Sequence, residues 1–560
     1  MNRNTRILVC IFVGVFVLVF AGIFITRNFN RPQTEVSEES ASSDVERQLK
    51  KISVGTATPV KSQITLDDTD EAAELPEIDT NTITVDPTTD EYAEIFATGE
   101  KAGSDQDGWI NDVANAFNNA GIEVDGKPVS VQIRKVSSGL GYDYIRTGKY
   151  VPDGYTPSNN LYEKMLQSQG TDVEEVTDCL VSNTPGMLLS KGVYDSITKK
   201  YGAVNIKTVV QAVAAGDMVM GYTNPYTSGT GLNFLISTLQ TYDAANPLSD
   251  TAVAGFQSFQ KNIPYVAVTT QQMSESAGKG SFDGFITEYQ TYANNSEQKS
   301  KYKFVPFGYM HNNPLITVKS TDQTKKDILK AFADFAAKEE YQQLAVKDGF
   351  NAKLNYTSEN PDVDGNTLIA AQKLWKQEKD NGKDIIAVFV ADNSGSMDGE
   401  PINALKQSLV NGMQYINDNN YVGLVTYSND VTVALPISQF DINQQSYFKG
   451  AVEQMDAGGA TATYDAIIVA ANMIETAKKD HPDAKVMMFV LSDGAENGSV
   501  TSFDRIKKDI YGLQIPIYTI GYNADVDALN QLSTINEAAT INAGTDDVVY
   551  QLKNLFNSNL

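Results

Sequence analysis

Cysteine and histidine are nearly absent, with two of each in 560 residues. That is too few for a zinc site of ordinary ligand type, and it leaves little room for histidine general-base chemistry. Cys10 lies in an apolar run and Cys179 stands by itself in the remainder, so no structural disulfide is expected. Basic residues are also scarce: 44 Lys and Arg face 70 Asp and Glu, a net charge of −26. This balance argues against a nucleic-acid backbone as partner. What is present is a hydrophobic fraction of 41% with 20% charged residues, ordinary for folded protein. At about 150 residues per domain, the length predicts three to four units.

Residues Ile7 to Ile25 read ILVCIFVGVFVLVFAGIFI without a charge. At 1.5 Å per residue, such a helix just spans a hydrocarbon core about 30 Å thick. Arg3 and Arg6 precede it, Arg27 and Arg31 follow, and no small-x-small cleavage site comes after. Residues 1–27 are therefore expected to be a retained single-pass signal anchor in the cell membrane, with the C-terminal bulk extracytoplasmic. Residues 28–81 are poor in aromatics and rich in Ser, Thr, Asp and Glu, as in EVSEESASSDVE, and are expected to form an acidic, disordered tether.

From Thr82 the pattern changes. Short apolar strand runs, Ile83–Val85 and VSVQIRKV from Val129, alternate with helical patterns such as Trp109–Phe117 and KKDILKAFADFAAKEEYQQLAVKDGF, which Gly349 ends. The alternation predicts α/β units, and residues 82–378 suit two lobes with a cleft. Two loops suit a ligand at strand ends: Val136-Ser137-Ser138-Gly139 and Tyr226-Thr227-Ser228-Gly229-Thr230-Gly231. Their hydroxyl and N–H groups could face an anion, but the same residues are also good helix N-caps. The segments IRTGKYVPDGYTPSNNLY, GYTNPYTSGTGLNFL and KFVPFGYMHNNPLITVKST, in this order, resemble the bacterial extracellular solute-binding proteins of type 2 topology. The resemblance implies two hinged lobes closing on a small-molecule or anionic solute, with Ser137, Ser138, Ser228, Gly229 and Thr230 as cleft donors and Thr88 as a weaker one. A transporter-linked binding protein ends after this fold, whereas this chain continues.

The second α/β pattern starts near Lys383. DIIAVFV, Asp384–Val390, is a buried parallel-type strand, and it runs into Asp392-Asn393-Ser394-Gly395-Ser396. Alternate residues there bring one carboxylate and two hydroxyls toward one point. The Gly-rich loop Asp456–Asp465 precedes a helix pattern, and the strand AKVMMFVLSDG ends in Ser492-Asp493-Gly494. Hard oxygen donors without Cys or His suit Mg²⁺, Mn²⁺ or Ca²⁺. An aspartyl-phosphate site of haloacid-dehalogenase type needs an Asp where Ser394 stands, and a Walker A loop needs a Gly-Lys-Ser/Thr that is missing.

These three loops resemble the von Willebrand factor A domain and its metal-ion-dependent adhesion site, over about 383–560. The family's D-x-S-x-S motif stands as Asp392, Ser394 and Ser396, its Thr is best matched by Thr461 (Thr463 being the alternative), and its later Asp by Asp493. By resemblance, Ser394, Ser396 and Thr461 touch the metal, Mg²⁺ first in expectation, while Asp392 and Asp493 act mainly through water. The electrophilic ion then takes a carboxylate from a partner protein. Glu496, Asp398 and Glu400 are not assigned as ligands. The fold expected is α/β throughout: a two-lobed solute-binding-like region, then a doubly wound, Rossmann-like von Willebrand A domain. The function expected is binding rather than catalysis, since no His base or nucleophile elbow accompanies the ligands. The alternative is a solute-transport component with the last domain as docking handle.

Overall fold

The apolar run Ile385–Asp392, buried along its whole length, is the middle strand of a seven-stranded sheet in the computed structural model. The structure describes residues 37–64, 75–263, 282–380, 382–494, 496–522 and 526–533, with positions 72, 266–267, 273, 535, 540–543, 552, 555–556 and 559–560. The expected membrane anchor, residues 1–27, lies outside the described residues. Among those described, no helix is long and apolar enough to cross a membrane.

In that sheet the strand order is Val54–Thr56, Val431–Gln439, Tyr421–Tyr427, Ile385–Asp392, Lys485–Ser492, Ile517–Tyr522 and Thr540–Ala543. Pairing is parallel except between Tyr421–Tyr427 and Val431–Gln439. Both faces are covered by apolar side chains, as a buried parallel sheet requires. One side carries the helix Glu400–Gly412, the other Thr463–Ala477 and Phe503–Leu513. The last strand of the sheet, Thr540–Ala543, pairs with Ile517–Tyr522.

The expected tether is corrected over 37–64. Glu38–Leu49 is a helix capped by Ser37, with Glu38 and Glu39 at its positive end. Ala41 and Val45, one turn apart, bury against the helices Thr463–Ala477 and Phe503–Leu513. Val54–Thr56 then adds an edge strand to the sheet. Low apolar content misled because the helix buries only a narrow stripe and its partner surface comes from the far end of the chain. The same contact contains Asp509, fully buried and reached by Gln48 at 3.5 Å, while Lys508 bonds Asp44 at 3.0 Å.

Burial, and then the charge of Asp44, push the Asp509 carboxyl up to about 6. A folded-state value above the unfolded one of about 3.9 favours the protonated protein. This group's stabilisation is therefore complete below about pH 4 and lost as pH rises through 6. Asp509→Asn should remove that decline and raise the melting temperature at pH 7; a lower melting temperature at pH 7 with the slope kept would refute it.

The intervening chain forms two lobes. The first sheet has the order Ile83–Val85, Ser130–Lys135, Tyr92–Ala97, Gly154–Thr156, Leu315–Val318 and Val173–Thr177. The second has Val266–Ala267, Met220–Thr223, Gly284–Glu288, Pro185–Ser190 and Tyr302–Pro306. The chain passes between lobes near 178–184 and returns near 307–313, and there Asn183 and His311 exchange backbone hydrogen bonds of 2.7 and 3.0 Å. The amphipathic helix read at Trp109–Phe117 runs to Asn119, with Trp109, Ile110, Val113, Ala114 and Phe117 buried. The helical pattern after Lys325 is two helices, Gln323–Ala336 and Glu339–Lys347. Gly349 (φ +96°) follows the second, in a conformation that favours glycine.

A further helix, Gly365–Glu378, packs on both lobes and reaches the sheet domain through Lys376, which donates to backbone oxygens of Tyr415, Phe556 and Leu560. It connects the lobes to the sheet domain.

Candidate functional site

Asp392 closes its strand next to Lys485–Ser492, the register pairing Ala391 with Leu491. Both polar strand ends therefore fall at the carboxyl edge of the sheet, where α/β folds place ligands. Asp392 is fully buried. One of its oxygens accepts the Ser394 N–H at 2.8 Å, and the other accepts the Ser492 hydroxyl at 2.6 Å. The Ser394 and Ser396 hydroxyls lie 3.1 Å apart, so the alternate-residue spacing does bring them together.

Backbone hydrogen bonds lock the three loops to one another. Gly395 donates to Gly459 (3.0 Å) and Gly458 to Asn393 (2.9 Å). Thr461 donates to the Asn497 side chain at 2.9 Å, and its carbonyl accepts from Asn497 and Gly498. Thr461 is thereby fixed between the first and third loops. Thr463 is the first residue of the following helix, and its hydroxyl turns to Tyr427 at 3.4 Å.

Burial raises the Asp392 carboxyl above its ordinary value; hydrogen bonds from Ser492 and Ser394 oppose that, and the charge of Asp493 adds to it. Two carboxylates drawn out of water with no cation between them are mutually destabilising. Asp493 Oδ1 is buried and has no hydrogen-bond partner among the described residues. A buried carboxylate oxygen left unmatched needs an explanation, and an ion or its water supplies one. The donor set of two carboxylates and three hydroxyls therefore fits a hard divalent cation. Among the described residues no group of three or more His, Cys, Asp or Glu is assembled for a metal, and this site holds only two such residues. Glu496 is occupied otherwise: its carboxylate accepts the N–H groups of Tyr464, Gly498 and Ser499. Ser492, read from sequence only as the end of its strand, holds Asp392 in place, a role that a lone Ser at a strand end does not signal.

The lobe residues singled out by sequence lie at the seam between the lobes, except Thr88. That residue bonds Ser130 and Asn118 near the start of its sheet's strands, so it is not a cleft donor. Ser137 and Ser228 act as N-caps, accepting from Leu140 at 3.4 Å and Gly231 at 3.2 Å. Ser138 meets Ser158 at 3.1 Å, and Thr230 donates to Glu288 at 2.9 Å. Gly229 comes so near the opposite lobe that a β-carbon would lie 2.1 Å from Ser158 Oγ; at Gly139 it would lie 2.0 Å from the Tyr226 carbonyl oxygen. Ser137, Ser138, Ser228 and Thr230 thus bond within their own lobes, and only the Gly229 carbonyl crosses the seam, accepting from the Asn159 side chain at 3.2 Å.

Sequence reasoning missed the charged residues buried there. Lys101 is fully buried and donates to Asn313 at 2.8 Å. Burial lowers its ammonium, opposed by Glu100 and the more distant Glu288. Glu288 pairs with His311 at 2.8 Å. Burial pushes Glu288 up, yet the bonds from His311 and Thr230 and the charge of Lys101 hold it below the usual range. These side chains come from segments far apart in sequence, so no local pattern joined them.

Residues 387–557 match the von Willebrand factor type A domain family, and residues 102–351 match a bacterial extracellular solute-binding protein family. Inter-alpha-trypsin inhibitor heavy chain H3 from Bos taurus is 25% identical over 150 residues, 25% of this chain and 16% of that one. The chain thus spans about a sixth of that relative's length. Among solved structures, a periplasmic thiamin binding protein aligns with 14% identity and a TM-score of 0.38, over 53% of this chain and 98% of that one. A von Willebrand factor type A protein from Catenulispora acidiphila aligns with 18% identity and a TM-score of 0.28, over 31% and 42%. One polypeptide here carries both a bacterial extracellular solute-binding region and a von Willebrand factor type A domain.

Proposed function

We propose that the protein is a membrane-anchored, extracytoplasmic binding protein that engages a partner protein through a divalent cation, Mg²⁺ foremost. The observation that supports this most directly is the orphaned, buried Asp493 Oδ1 beside the Asp392–Ser394–Ser396 loop. Ser394, Ser396 and Thr461 would hold the ion directly, with Asp392 and Asp493 behind water. An ion held mainly by neutral hydroxyls keeps enough electrophilicity to accept a partner's carboxylate as its last ligand. The protein is read as a binder, not an enzyme, and the solute-binding-like lobes as a module that senses a small ligand.

A ligand that binds only the folded state stabilises it by mass action, about 2.7 kcal/mol at a hundredfold excess over Kd. For a domain of this size that is about 5–10 °C in melting temperature. Mg²⁺ or Mn²⁺ should raise the melting temperature of the wild type by that amount relative to EDTA, and leave Ser394→Ala/Ser396→Ala unmoved. No rise in any divalent metal at millimolar concentration would defeat the reading.

A further inference from the structure

The lobes do not simply precede the seven-stranded sheet; they are inserted between two parts that complete it. Ahead of them, the segment up to residue 64 is tied to the sheet domain: Ser446 donates to Ser62 at 2.6 Å and Lys449 to Gln63 at 2.8 Å. Behind them, the helix Gly365–Glu378 leads within a few residues into the strand that ends at Asp392.

That bridging helix packs against both lobes together. On the first lobe it meets the helix Leu161–Ser168, and Gly365 lies so near that a β-carbon would stand 2.0 Å from the Lys164 carbonyl oxygen. On the second lobe, fully buried Trp375 donates to the Tyr222 hydroxyl at 2.7 Å, and Gln372 donates to the Pro225 carbonyl at 2.8 Å. Rotation of one lobe against the other therefore has to unseat this helix from at least one of them.

The far end of the helix grips the sheet domain. Lys376 donates to the carbonyls of Tyr415 (2.8 Å), Phe556 (3.1 Å) and Leu560 (2.8 Å). A desolvated ammonium cannot be left without acceptors cheaply, so the C-terminal segment is tied to the helix. Phe556 in turn presses edge-on against Phe389 (5.4 Å) and Phe489 (5.3 Å), which stack on each other at 5.0 Å. Those two residues are register partners on the strands that end at Asp392 and Ser492, immediately before Asp493.

We propose that the helix Gly365–Glu378 transmits lobe opening to the metal site: with the lobes shut it holds the C-terminal segment against the Phe389–Phe489 pair, and opening releases it. This deepens the proposed metal-dependent binding, and only its affinity arm rests on that reading. The pathway is a contiguous set of packed groups.

The test uses the full chain in detergent, with Gly139→Val and, separately, Gly229→Val to prise the seam, and small-angle scattering to verify opening. Mn²⁺ affinity is read by calorimetry with the metal alone. Amide exchange over 385–396 and 552–560 is read in EDTA. Opening is expected to weaken Mn²⁺ binding about fivefold, the lower end of ordinary coupling, and to speed exchange in both segments. Lys376→Met added to either variant should cancel the difference between open and closed protein. Opened lobes with unchanged affinity and unchanged exchange would overturn the proposal while leaving the metal reading intact. Faster exchange in a protein that binds no metal would keep the transmission and sink the metal reading. Two prising positions are used so that misfolding of one variant does not decide the matter.

Discussion

Asp392→Asn should be no less stable than the wild type in EDTA, yet lose most of the stabilisation that divalent metal confers. In the metal-free protein, Asp392 is a buried carboxylate whose ionised form is opposed by burial and by Asp493. The amide keeps the shape and an acceptor for the Ser394 N–H or the Ser492 hydroxyl, and removes the repulsion. With metal the sign reverses, because the amide can no longer orient water on the ion with a full negative charge. Groups that act on a metal through an intervening partner are worth about 10–100-fold in affinity, and that loss is the expected result. Metal-dependent capture of a carboxylate-bearing partner should fall at least as far. Ser492→Ala gives the graded version, since it frees one Asp392 oxygen without touching its charge. Melting curves of the three proteins with and without Mg²⁺ decide it; an Asp392→Asn protein that is destabilised in EDTA and still rescued by Mg²⁺ would show that the aspartate is only a structural cap.

The second large effect is expected at Trp375→Ala. The side chain is fully buried among residues of the second lobe, with Tyr226 alongside at 6.0 Å between ring centres. Truncating a buried Trp to Ala costs about 3–5 kcal/mol, through lost transfer energy and the cavity left behind. The indole N–H also satisfies the Tyr222 hydroxyl, although Tyr222 keeps its bond to Gln260 at 2.7 Å. Trp375→Phe preserves most of the packing and should cost only about 1 kcal/mol. Denaturant unfolding followed by fluorescence should show a large drop in the midpoint for Ala and a small one for Phe. Equal losses would mean that the hydrogen bond, not the packing, seats the helix.

The motif loop was legible because its geometry is local. A strand that is apolar along its length has to be central, and residues i, i+2 and i+4 after it converge whatever the rest of the chain does, as Asp392, Ser394 and Ser396 do. Capping is local too, so Ser137 and Ser228 were readable as helix starts. Which of the two roles, cap or solute donor, these residues fill in this closed state was not readable, because it depends on how near the opposite lobe stands.

By itself, then, the sequence determined the two α/β modules, their order and the hard-oxygen character of the loops at Asp392, Thr461 and Asp493, all consequences of short-range periodicity and residue chemistry. Only the tertiary structure decided that Glu38–Leu49 and Val54–Thr56 belong to the C-terminal sheet. It alone assembled Lys101, Glu288, His311 and Asn313 at the lobe junction, and it alone set Gly365–Glu378 across both lobes. Each of these rests on surfaces contributed by distant segments. A narrow apolar stripe or a lone buried charge has no signature until the segment it packs against is in place.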